Sequence, residues 1–74
     1  MATPYSEILT DLQERTLRTD EMYDPYHSKH ECYGVIAEEF HELMLALHQS
    51  HESNFEAELM DIAVVCLRWL GRSK

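Results

Sequence analysis

Four acidic residues set the chemistry open to this sequence. Glu39 and Glu42 lie in "EEFHELMLAL", and Glu58 and Asp61 in "EAELMDIAVV". Within each pair the spacing is three, which makes the two side chains neighbours on one face of a helix. At about 100° per residue, Glu39 falls inside the apolar stripe of Val35, Ile36, Leu43, Ala46 and Leu47, with Glu42 on its edge. Glu58 falls inside the stripe of Phe55, Ile62, Cys66 and Trp69, again with an acid, Asp61, on the edge. An antiparallel pairing of the two segments brings all four together. Clustered carboxylates in a low-dielectric site either protonate or bind cations. All-oxygen ligands suit hard ions, Mg²⁺ first and Mn²⁺ as a substitute. Acid-x-x-acid spacing is common in a chain with 14 acids. Two such pairs, each with one member on an apolar stripe, are more telling.

The elements that must position these acids are three helices and no strand. A first helix is expected over about 4–18, with Thr3 as N-cap and Pro4 in the favoured first position. A loop over 19–28 contains Pro25. The second helix covers about 29–49, opened by the capping box Ser28-Lys29-His30-Glu31. A short turn, "HQSHE", returns the chain antiparallel. The third helix covers about 54–70, with a capping box at Ser53-Asn54-Phe55-Glu56 and Gly71 as the residue that stops it.

Seventy-four residues make one domain, 1–74, at the lower end of what a single core can hold together. Such chains commonly need disulfides, a metal or self-association. The two cysteines, Cys32 and Cys66, come without a secretory signal, so free thiols in the cytoplasm are expected. The longest apolar runs, "LMLAL" and "IAVVCL", are too short to span a membrane. That leaves a metal, an oligomer, or both. The net charge of −8 argues against nucleic acid and against anionic membranes as partners. The fold class expected is therefore all-α: three helices with an antiparallel hairpin, completed into a four-helix core by oligomerisation.

Glu39-Phe40-His41-Glu42 followed by Glu58-Leu59-Met60-Asp61 resembles the E-x-x-E … E-x-x-D signature of the all-α nucleoside triphosphate pyrophosphohydrolases, the MazG-like proteins related to the dimeric dUTPases. "GVIAEEFHELMLAL", with its doubled glutamate at Glu38-Glu39, is similar to that family's first metal-binding helix, and "EAELMDIAVVCLRWL" to its second. The likeness covers about Glu31 to Leu70. It implies hydrolysis of a nucleoside triphosphate between the α and β phosphates, giving the monophosphate and pyrophosphate. Glu39, Glu42, Glu58 and Asp61 would then hold Mg²⁺ against the phosphates, where divalent ions neutralise and orient the tail and acidify water. Glu38 becomes the candidate base, and Lys29, His30 and Arg68 the candidate substrate contacts. Arg15 and Arg18 are further cations that no spacing selects, and Tyr23, Tyr26 and Trp69 are candidates for stacking on a base. A homodimer or homotetramer is implied as well. The chain departs from the pattern at Met60, where family members often have a small residue, and family members usually carry a further helix beyond the three expected here.

Two other chemistries have some basis. Glu38-Glu39-Phe40-His41 contains the Glu-x-x-His of di-iron carboxylate bundles, but the third helix has no matching pair. His27, His30, Cys32, His48 and His51 show no closed zinc spacing. The remaining alternative is a non-catalytic helical oligomer or interaction protein that retains the carboxylate site.

Overall fold

A computed structural model of the chain describes residues 3–49 and 52–72. Three helices form, α1 (Ser6–Met22), α2 (Lys29–Leu47) and α3 (Glu52–Gly71), with no strand among the described residues. The all-α expectation holds, and each helix differs from its expected bounds by a few residues for identifiable reasons.

Thr3 is not the N-cap of α1: that position is Tyr5, which makes no side-chain cap hydrogen bond, and Thr3 instead closes the turn before it. Its hydroxyl accepts from the Tyr5 N–H (3.2 Å), while its own N–H donates to the Ser6 hydroxyl (3.0 Å). Pro4 and Tyr5 form that turn, and regular helix begins at Ser6. At the other end α1 runs four residues past the expected stop at 18. The extension is held from outside the segment: Asp20 accepts from the Arg68 Nε at 2.7 Å. Arg68 lies 48 residues further on, so no local signal announces this contact.

Ser28 caps α2 as expected, its hydroxyl accepting from the Glu31 N–H at 3.1 Å. The return half of the box is displaced by one residue. The Glu31 carboxylate accepts from the His27 N–H (3.4 Å) and meets the His27 ring nitrogen Nδ1 (3.1 Å). The Ser53 side chain, expected to cap the third helix, and Ser50 and His51 of the turn lie outside the described residues. The Asn54 side-chain amide donates to Gln49 Oε1 at 2.6 Å, tying the end of α2 to the start of α3. Gly71 does not act as a left-handed stop. The helix includes it, and no described glycine has positive φ. Arg72 terminates α3 instead, donating from its backbone (3.3 Å) and its Nη1 (2.6 Å) to the Trp69 carbonyl while its guanidinium covers the Trp69 ring.

α3 is central. Both α1 and α2 pack on it, and among the described residues α1 and α2 do not pack on each other. The molecule is a slab of 37 × 36 × 18 Å. α2 runs antiparallel to α3. α1 runs in the same sense as α3, since Arg15 sits near Asp61 and Asp20 near Arg68. The buried apolar residues are small, Cys32, Ala46, Val64 and Val65. Small side chains let helices approach closely, but they supply little hydrophobic free energy. Phe40, Leu47, Leu59 and Leu70 stay exposed. Leu47, expected on the inward stripe of the second helix, is 63% exposed.

Candidate metal centre

The open angle between α1 and α2, floored by α3, is a cleft of about 830 Å³. Glu39 enters it from α2 and Asp61 from α3. One oxygen from each of Glu39, Glu58 and Asp61 lies within 4.8 Å of the others. Two further oxygens, Glu39 Oε2 and Glu58 Oε2, are buried with no hydrogen-bond partner. A buried acceptor without a donor costs about 1–3 kcal/mol, a cost that a proton shared between Glu39 and Glu58, or a bound cation, would offset.

The electrostatics agree with the geometry. Burial pushes the Glu39 carboxyl from 4.5 up to about 7, with the charges of Glu42, Asp61 and Glu58 adding to the rise. Burial also raises Glu58, followed by the charges of Glu42 and Asp61. Asp61 is raised by burial and by Glu42, against the pull of Arg15. Glu42 therefore shares the field of all three, although its own side chain is exposed at the rim. All donor atoms in the group are carboxylate oxygens, a set that fits Mg²⁺ or Mn²⁺ and is a poor match for softer metals.

The structure thus brings together Glu39, Glu58 and Asp61, with Glu42 beside them. It does not bring in Glu38, which is exposed and lines no part of the cleft. Lys29 and His30, at the start of α2, are exposed and also outside the cleft wall. Arg68 does reach the cleft, but as a clasp. Its side chain is 5% exposed. Nε donates to Asp20, and Nη2 donates to the carbonyls of Tyr23 (3.1 Å) and Asp24 (3.0 Å). The Tyr26 ring lies against its guanidinium, 4.8 Å from the ring centroid. This one residue fixes the end of α1 and the loop that closes one end of the cleft. Arg68→Ala leaves two carbonyls and a half-exposed carboxylate without their donor. We expect a loss of about 2 kcal/mol, read as a lower midpoint in a urea or thermal melt.

Two other cations line the cleft. Arg15 and Arg18 project from α1 into its wall. Arg15 is steadied by its own Asp11, whose two oxygens accept from Nε at 3.1 Å each. Sequence spacing could not select them, because their place depends on how α1 lies along α3. Tyr23 and Tyr26 line the same cleft, whereas Trp69 is covered by Arg72 and lies outside it.

Glu38 and His41, the Glu-x-x-His pair of the di-iron alternative, are both exposed, and neither joins the carboxylate group. Among the described residues no histidine or cysteine joins a metal-binding group. Cys32 and Cys66 are free thiols, the first buried and the second exposed. No described helix is long and apolar enough to cross a membrane. No protein-family model matches the chain, and no curated protein or solved structure gives a match.

Proposed function

We propose that this chain is a Mg²⁺-dependent nucleoside triphosphate pyrophosphohydrolase of the MazG-like kind, acting in the cytoplasm, with Mn²⁺ as a substitute ion. The observation that carries this reading is the pair of buried, unpartnered oxygens, Glu39 Oε2 and Glu58 Oε2, in one carboxylate group with Asp61. Of the signature residues, Glu39, Glu58 and Asp61 converge, and the charge of Glu42 acts on them from the rim.

The ion, when bound by Glu39, Glu58 and Asp61 with Glu42 at the rim, supplies charge neutralisation of the phosphates and a more acidic water. The chain's own residues do the rest. Arg15 and Arg18, on the opposite wall, receive the negative tail of the triphosphate. Tyr23 and Tyr26 offer ring faces at the closed end of the cleft, where a base can stack. Water attacks the α phosphorus, the bond to the bridging α–β oxygen breaks, and pyrophosphate leaves. Glu42, exposed but within the field of the cluster, is better placed than Glu38 to take the proton lost by that water.

Incubation with a panel of nucleoside and deoxynucleoside triphosphates, plus Mg²⁺ or Mn²⁺, tests the reading directly. Monophosphate and pyrophosphate in equal amounts are expected. Metal binding with no product from any nucleotide favours the non-catalytic alternative. The substitution Arg15→Gln with Arg18→Gln separates tail binding from ion binding. Affinity for a triphosphate should fall about 10-fold or more, while the Mn²⁺-induced rise in melting temperature stays as in the parent. Equal loss of both would show that the arginines support the fold and not the tail.

A further inference from the structure

The two thiols sit opposite each other across the α2–α3 hairpin. Glu39 of α2 shares one carboxylate group with Glu58 and Asp61 of α3, and this fixes the register of the two helices. A step of seven residues is about two turns and returns a side chain to within roughly 20° of the same face. That step back from Glu39 reaches Cys32. On the antiparallel partner the matching step runs forward, from 58–61 to 65–68, and Cys66 falls inside that span. Cys32 keeps the inward face of Glu39 and is 5% exposed. Cys66 flanks the buried Val65 and is open to solvent. A disulfide needs α-carbons about 4–7 Å apart, a gap that only closely packed helices offer. The buried residues at this level, Cys32 and Val65, are small enough to allow it. The electrostatics agree. Burial pushes the Cys32 thiol up, and the charge of a Cys66 thiolate pushes it further, against the pull of Arg72. A neighbouring charge has such an effect only at close range.

We infer that Cys32 and Cys66 are a thiol modification site, which a small-molecule disulfide such as oxidised glutathione converts to a reversible intrachain disulfide. The exposed thiol is the entry and the buried one completes the bond. The Cys66 thiolate attacks one sulfur of the small disulfide. That S–S bond breaks, a mixed disulfide forms at Cys66 Sγ, and one small thiol leaves. The Cys32 thiolate then attacks Cys66 Sγ, and the second small thiol leaves. The chain gives up two electrons and two thiol protons, and the small disulfide takes them up as two thiols. Cys32, buried and with its thiol pushed up, is a poor entry point for the oxidant. The bond staples α2 to α3, the two helices that carry Glu39, Glu58 and Asp61, about two turns from those carboxylates. It also closes the turn between the helices into a loop, which restricts the unfolded chain. In a reducing compartment such a bond is transient and reports the redox state. This inference stands on the register of the hairpin and holds whether or not the carboxylates bind a metal.

The test treats the dilute full chain with oxidised glutathione at about pH 8 and follows its intact mass. A transient glutathione adduct should give way to a single chain lighter than the parent by two hydrogens. Cleavage after glutamate separates Cys32, in 32–38, from the peptide that carries Cys66. The two peptides should stay joined until dithiothreitol is added. The oxidised chain should keep the helix content of the reduced chain by circular dichroism and melt about 5–10 °C higher. Cys32→Ala should stop at the adduct on Cys66, and Cys66→Ser should take up no glutathione. A parent that stops at the adduct, that links through Cys66 to another chain, or that does not react overturns the inference. So does an oxidised chain that has lost helix or melts lower than the reduced one, since the bond would then need the hairpin to open. The parent measurements need no substitution, so they decide the matter even if Cys32→Ala unfolds.

Discussion

Glu39→Gln is expected to make the metal-free chain more stable and to abolish its response to divalent ions. Glu39 is half-buried, its Oε2 has no donor, and three other carboxylates surround it. At pH 8 the parent holds these charges against burial and against one another. Glutamine removes one charge with little change of shape and brings two N–H donors for its acidic neighbours. The gain should be on the order of 1–2 kcal/mol, which for a domain of this size raises the melting temperature by about 4–8 °C per kcal/mol. Turnover depends on the same atom in the opposite way. Losing one charged ligand should lower metal-dependent kcat by about 100-fold or more. Glu58→Gln should behave alike, because its Oε2 is buried and unpartnered too. Glu38→Gln, on an exposed position outside the cluster, should change neither quantity by more than a few-fold. A metal-free Glu39→Gln variant that melts well below the parent would mean that the carboxylate makes a stabilising contact.

The second large effect is a dependence of stability on pH that divalent ions remove. Below about pH 4.5, the ordinary glutamate value, Glu39 is protonated in both the folded and the unfolded chain. Between 4.5 and about 7 the unfolded chain has released this proton and the folded chain still holds it. The folded state then binds more protons, so its stability falls as pH rises through this window. Above about 7 Glu39 is ionised in both states and its penalty is complete. Its contribution is on the order of 2 kcal/mol once its partial exposure is allowed for. Mn²⁺ binds the ionised form, so the stabilisation it brings should grow through the same window and level off above pH 7. Other carboxylates and the histidines also titrate, so the measurement is the difference between parent and Glu39→Gln. That difference in melting temperature, in EDTA, should widen from pH 4.5 to 7. A constant difference would mean that Glu39 ionises normally in the folded chain.

The helices and the convergence of Glu39, Glu58 and Asp61 were legible because each rests on short-range rules. Periodicity placed the acids on the inward faces, and one short turn fixed the antiparallel return. The end of α1 was not legible, since Asp20 is held by Arg68 from another helix. The same tie commits Arg68 to Asp20 and the loop carbonyls, and leaves Arg15 and Arg18 as the other cations that line the cleft. Glu38 resembles Glu39 in the sequence, yet one residue is a turn of about 100°, enough to leave it in solvent. Leu47 shows the other limit. An apolar stripe read from sequence does not say whether the chain's own core or another surface covers it.

A Mn²⁺ titration at pH 8, followed by the electron paramagnetic resonance signal of the free ion, bears most directly on the carboxylate centre. The parent should remove free Mn²⁺ saturably, and Glu39→Gln and Glu58→Gln should each abolish that uptake while remaining helical. A parent that leaves the free signal untouched, or folded variants that bind as the parent does, would contradict a divalent-ion site at these residues.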